Sequence, residues 1–238
     1  MMKYLFILIL FIASPALAHL EDDYNPGEPL ATTPWYEWMN ASNIKADLDF
    51  IEGMRPHHAG ALKMSEEYFK SKGGTSARLQ ELIHSIVKNQ TFEIKVMDHM
   101  KDILKSAPHS NKPELVQAAE LGLAQNWKFV HMPPPAHNAQ DPFAHDEVSK
   151  RDVAFAKGMI VHHEGALDMC HDYLANPAAV NGYMELLCQD ILTSQSQEIA
   201  LMHDIISEYP GDASKVKPSR IYGMEHMAHG KHKKGHHH

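Results

Sequence analysis

The chain carries the same unit twice. Asp47 to Leu104 aligns without a gap on Asp152 to Tyr209 at a constant offset of 105 positions, and self-similarity at a fixed period means that one supersecondary unit is used repeatedly. Identities fall at Asp47/Asp152, Phe50/Phe155, Gly53/Gly158, Met54/Met159, His57/His162, His58/His163, Gly60/Gly165, Ala61/Ala166, Leu62/Leu167 and Met64/Met169, and resume at Gln90/Gln195, Glu93/Glu198, Ile94/Ile199 and Met97/Met202. A duplication keeps what both copies need. Here each copy keeps two His, three Met and one Glu among these positions.

Each copy reads as two helices joined by a short turn. Lys72-Gly73-Gly74-Thr75 breaks the first copy and Asn176-Pro177 the second, while the flanking stretches hold good helix formers with apolar residues at three- and four-residue steps. Two hairpins make four helices, so the expected fold is all-α: a four-helix bundle with its apolar stripes inward. The domain plan is a hairpin over 46–105, a connection over 106–150 and a second hairpin over 151–210. The connection is Pro-rich at 131–137, with a short helix expected from Pro113 to Asn126. An irregular lead-in covers 19–45, and a His/Met-rich tail covers 211–238, polar and expected to be disordered from Gly223 onward.

The first 18 residues read as a signal peptide: Lys3, an apolar run from Tyr4 to Ala13, and a small-residue cleavage site at Ala16-Leu17-Ala18. That run is too short to span a membrane and nothing later approaches the required length, so an exported or periplasmic protein without stable membrane insertion is expected, cleaved after Ala18. The formal net charge of -8 leaves no basic field for a phosphate backbone, which argues against nucleic acid as a partner. His occurs 19 times and Met 14 times, against 3 Trp and 2 Cys, so imidazole and thioether are the chemistry on offer.

Helical geometry gathers those groups. Met159, His163 and Cys170 fall within about 40° of one another on a helical wheel, with His162 and Met169 on the neighbouring stripe. On the returning helix Cys188, Gln195, Glu198 and Met202 lie within about 80°. Antiparallel pairing about the turn near Ala179 sets Cys170 opposite Cys188 and His163 opposite Gln195. The same register sets His58 opposite Gln90, with Glu93 and Met97 a turn or less away. Met, His and a carboxylate thus meet between two helices in both copies. Thioether suits Cu(I), imidazole accepts Cu(I) and Cu(II), and neither Mg nor Ca would choose Met, so the metal expected is copper, Cu(I) by preference. Against this stands the reading of Met as core filler and of His as a hydrogen-bonded core residue, which the repeated Met-x-x-His-His-x5-Met makes the weaker one.

Gly-Met-x-x-His-His-x-Gly-Ala-Leu-x-Met followed by Gln-x-x-Glu-Ile-x-x-Met, present twice, resembles the bacterial family catalogued as domain of unknown function 305, which is similar to ferritin-like helical bundles and has periplasmic copper-binding members. The resemblance implies copper binding or copper resistance, with ligands at Met54, His57, His58, Met64, Glu93 and Met97 and at Met159, His162, His163, Met169, Glu198 and Met202. Arg55-Pro56 against Ile160-Val161, and Ser65 against Cys170, distinguish the copies. The tail residues Met224, His226, Met227 and His229 resemble a copper-collecting arm, with a solubilising tail or appended tag as the alternative. His19 would become a chelating amino terminus after cleavage.

Two Cys in an exported chain suggest a disulfide, Cys170 to Cys188, or a Cu(I)-binding thiol pair. The function expected is copper buffering, sequestration or transfer without catalysis, in exchange with another exported copper carrier or transporter. Acid is expected to weaken binding as His protonates. A copper- or iron-dependent oxidase is the enzymatic alternative, although the Glu81-x-x-His84 spacing of di-iron bundles meets Leu186 and Gln189 in the second copy. A structural bundle without metal is the third.

Overall fold

The computed structural model describes residues 33–120 and 147–224. Strand β1 (Pro34–Met39) leads into helix α1 (Ala41–Lys70), which returns as α2 (Ala77–Ser106); strand β2 (Glu114–Glu120) follows. The second hairpin is α3 (Lys150–Leu174) and α4 (Gly182–Ser207), and a 3-10 turn at Ala213–Lys215 begins a final extended segment. The chain is therefore mainly helical, four helices packed as two hairpins, as the duplication implies.

Each helix starts on a side chain that satisfies its free amides. Asn40 and Asn43 form a reciprocal cap on α1, Ser149 and Asp152 do so on α3, and Ser76 and Asn181 accept from the first turns of α2 and α4. The hairpins then dock through α1 against α3, and a duplicated bond closes each end of that contact. Tyr68 Oη donates to Asp152 at 2.5 Å, and Tyr173 Oη donates to Asp47 at 2.7 Å. The two bonds are related by the same offset of 105 that relates the copies. The pairing is antiparallel, since the C-terminal end of each helix meets the N-terminal end of the other.

The core falls into two apolar halves. One gathers Met54, Met97, Met100, Met184, Cys170 and Cys188 with Phe50 and Tyr173, the other Met159, Met202, Phe155, Tyr68 and the Leu79–Ile86 face of α2. The buried His57, His58, Gln90, Glu93, His162, His163, Gln195 and Glu198 lie in the middle third of their helices, while buried Asp47 and Asp152 lie near helix starts.

Three expectations are corrected. The short helix expected over 113–126 is strand β2 as far as it is described, and the end of the lead-in is strand β1, antiparallel to it from Pro34↔Glu120 to Met39↔Glu114 with an irregularity between Trp35 and Tyr36. Trp35, Tyr36 and Trp38 are good strand formers, and the partner strand overrides the helical preference of Ala118 and Ala119. The fold is thus not purely helical. The tail also begins later than expected, because residues 211–224 are described and the stretch to Gly223 packs on the bundle. Ser219 donates its amide to the Ala154 carbonyl at 2.7 Å, and Lys157 binds the carbonyls of Ala213 and Val216. The signal peptide, His19, the 131–137 segment, and His226, Met227 and His229 lie outside the described residues.

Candidate metal centre

The His-His pairs sit on the mutually facing sides of α1 and α3. His57, His58, His162 and His163 are all fully buried. The short turns of the hairpins set the register that brings the return helices to them. His58 Nε2 lies 2.6 Å from Glu93 Oε2 and His163 Nε2 lies 2.7 Å from Glu198 Oε2. Across the hairpins, the His57 and His162 rings lie over each other with centroids 3.7 Å apart, and His162 Nε2 is 2.9 Å from the His57 carbonyl oxygen.

These contacts settle where the protons are. A carboxylate and a backbone carbonyl accept, so Nε2 of His162 and His163 carries the hydrogen and, these rings being neutral, Nδ1 of each is a bare lone pair; Nε2 of His58 likewise faces a carboxylate oxygen. Nδ1 of His58, of His162 and of His163 is buried and finds no hydrogen-bond partner among the described residues; the buried His57 ring has only the His162 backbone beside it as a hydrogen-bonding partner. Both amide atoms of Gln90 and of Gln195 are equally unpartnered. Buried polar atoms normally find partners, and leaving one without costs about 1–3 kcal/mol. Here they are concentrated in one layer and repeated in both copies.

The layer is also hostile to protons. Burial, then the neighbouring imidazoles, push His57 well below the ordinary histidine value. Burial followed by His163 pushes His162 down to about 3, and burial followed by His58 pushes His163 down to about 3. Neutral imidazole is the form that ligates metal. The residues present therefore fit a soft or borderline cation: lone pairs without donors, two carboxylates behind the rings, and thioethers nearby.

The thioethers divide into two classes. Met54, Met97, Met159 and Met202 are fully buried, each one turn from a His or Glu of the layer, the first two in one half-core and the last two in the other. Met64 and Met169 are placed differently. They line surface grooves between α1 and α3, two turns from the nearest layer histidine. Wheel position alone put them beside the histidines; their distance along the axis separates them. Met224 is the last described residue, half-buried, directly after Gly223, which lies against the Pro56 and His57 backbone. No group of three or more His, Cys, Asp or Glu in a metal-holding arrangement occurs among the described residues, so thioether or amide donors would have to complete a site.

The duplicated blocks 36–101 and 152–237 match the family model described as Domain of unknown function (DUF305), over more than half of the chain. The chain is a DUF305 protein. No curated protein and no solved structure matches it. In this DUF305 chain the His-His pair and the Glu of each copy form the central layer, so the most specific part of the repeated motif is what the fold buries most deeply.

Cys170 and Cys188 meet as the hairpin register requires, yet they are two free thiols and not a disulfide. Each is fully buried, and the hydrogen bond from the Cys188 side chain, followed by burial, raises the Cys170 thiol far above its ordinary value. Asp190 is a neighbour the sequence did not bring forward. Burial and the nearby Glu93 push its carboxyl up to about 7. It has no acidic counterpart in the first copy, where Ser85 stands, so the duplication gave no signal for it.

Proposed function

We propose that this chain is an exported copper-binding protein that takes Cu(I) by preference, admits Cu(II), and buffers, sequesters or transfers the ion without catalysing a reaction. The observation that supports this reading is the layer of buried imidazole lone pairs with no donor, repeated by the duplication. Copper is the cargo. His58 and His163 would hold it through Nδ1, with His57 and His162 beside them and thioethers from Met54, Met97, Met159 and Met202 within a helical turn. Glu93 and Glu198 are better described as orienting groups than as ligands, since each holds the Nε2 side of its histidine and leaves Nδ1 for the ion. Soft, exchangeable thioethers and the tail donors Met224, His226, Met227 and His229 suit a protein that passes copper to another exported carrier or transporter. Export rests on the signal-peptide pattern of the first 18 residues; among the described residues no helix is long and apolar enough to cross a membrane.

An anaerobic Cu(I) titration against a chromophoric chelator tests this reading. It compares the chain from His19 with and without residues 225–238, each also carrying His58→Ala and His163→Ala. Tight binding that survives loss of the tail and disappears in the double variant is expected. Binding that follows the tail and ignores the histidines would overturn the bundle site.

A further inference from the structure

The half-core that holds Cys170 and Cys188 is the sulfur-rich one. Met54 of α1, Met97 and Met100 of α2 and Met184 of α4 share it with them, and all six side chains are fully buried. Met184 stands one turn before Cys188 in α4, so the two side chains project to the same side. The thiols and the histidine layer are distinct places. In α3, Cys170 follows His163 by two turns, about 10 Å along the axis.

The first copy shows that the fold needs no sulfur at these two positions. Moved back by 105, they are Ser65 and Ile83, both fully buried. Ser65 donates its hydroxyl to the Ala61 carbonyl at 2.8 Å, within its own helix. One hairpin therefore packs with a small hydroxyl and an aliphatic side chain where the other has two thiols in hydrogen-bond contact. Packing alone does not call for the cysteine pair.

Two facing thiols can close to a disulfide or hold a soft cation. The surrounding thioethers add nothing to a disulfide, whereas they are donors to Cu(I). Charge points the same way. The Cys188 hydrogen bond, burial and the nearby Glu93 all oppose a bare thiolate at Cys170. Cu(I) replaces the thiol proton by an equal charge: the S–H bond of Cys170 breaks, an S–Cu bond forms, the proton leaves to solvent, and no electron moves. The apolar core then stays as neutral as before. Zinc takes four Cys, His or carboxylate donors, and no group of three of these in a metal-holding arrangement occurs among the described residues.

We propose that Cys170 and Cys188, completed by Met184, hold one Cu(I) ion in this half-core, at a site separate from the histidine layer. The site extends the copper reading but uses none of the ligands proposed for the layer, so either can fail alone. It also has a way in. Met169, next to Cys170 in the chain, packs against this half-core from an open groove that Asp49 and Asp172 also line. A cation drawn to those carboxylates from solvent meets a thioether first.

Anaerobic Cu(I) titration of the reduced chain from His19 to His238 tests the site by its thiolate-to-copper charge-transfer absorption, which imidazole and thioether ligands do not give. The parent should show the band and bind one ion more than a variant with Cys170→Ser and Cys188→Ile, which installs the first copy's own residues. Cys188→Ser alone should lose the band too. With His58→Ala and His163→Ala the band should persist. Copper bound without the band would overturn this site and leave the histidine layer standing. A persisting band with no loss of bound copper in the histidine variant would do the reverse. A band lost with the histidines would overturn the separate site. So would a Cys170–Cys188 disulfide in protein trapped by acid and alkylation directly from the exporting cells, since neither thiol then remains for the ion.

Discussion

His57 and His162 face each other across the centre of the bundle with ring centroids 3.7 Å apart, and His162 donates its Nε2 hydrogen to the His57 backbone carbonyl. Two imidazoles this close cannot both be charged, so the packing itself opposes protonation of this pair.

That opposition makes stability acid-sensitive. His162 and His163 bind protons near 6.5 when unfolded but near 3 when folded, and His57 is shifted the same way. Stability is therefore complete above 6.5 and falls as pH drops from there toward 3. Asp47, raised by burial to about 6, works in the opposite sense, as does the half-exposed Asp190 more weakly. Their contribution is present below 3.8 and lost as pH rises through their folded values. A decline between pH 6 and 4 that steepens below 4, where the two carboxyls are protonated in both states, is expected in urea midpoints. A midpoint that rises on acidification would refute it.

The same shifts bear on the acid sensitivity of metal binding, which is expected to follow those histidines that protonate. His162 and His163, pushed down to about 3 by burial and a neighbouring imidazole, do not take up protons in competition with a metal between pH 7.5 and 5. Cu(I) affinity at the His162–His163 pair should therefore change little over that range, measured by chelator competition in the chain lacking residues 225–238 and carrying His58→Ala. A steep loss over that range would place the ligands on exposed histidines.

Glu93→Gln should lower copper affinity by roughly 10–100-fold, the usual cost of losing an orienting carboxylate behind a ligand histidine. Glu198→Gln should act alike on the other pair, since the two contacts measure 2.6 and 2.7 Å. Unchanged affinity in both variants would remove these pairs from the binding site.

Tyr173→Phe removes one of two donors to the buried Asp47 carboxylate and leaves Asn181 at 2.7 Å. A loss of about 1.5–3 kcal/mol in chemical denaturation is expected, the range for hydrogen bonds to charged groups. Tyr68→Phe should cost less, because Asp152 keeps amides of Thr75, Ser76 and Ser149. Equal costs would contradict this difference between the two ends.

Gly60→Ala places a Cβ 2.3 Å from a backbone oxygen, which cannot yield as a flexible side chain would. The C-terminal segment should lift, and the Ser219 amide, bound to Ala154 at 2.7 Å, should lose its protection in hydrogen exchange. Retained protection would mean that the helices part instead.

The sequence by itself determined the two hairpins and the contacts inside each. Helical periodicity fixes which face turns inward, and a turn of a few residues leaves one register, so the meeting of His58 with the Gln90–Glu93 turn and of Cys170 with Cys188 was legible from spacing. The family was legible for the same reason, because its motif lies within the hairpins. Only the tertiary structure decided how one hairpin docks on the other. That contact joins residues 84 to 126 positions apart, as Tyr68–Asp152 and Asp47–Tyr173 show, and no short linker constrains it. Hence the His57–His162 overlap, the placing of Met64 and Met169 in the grooves and the course of the segment over Gly60 and Gly158 appear only when the two hairpins are packed, and the pairing of β1 with β2 only when the first hairpin brings its two ends together.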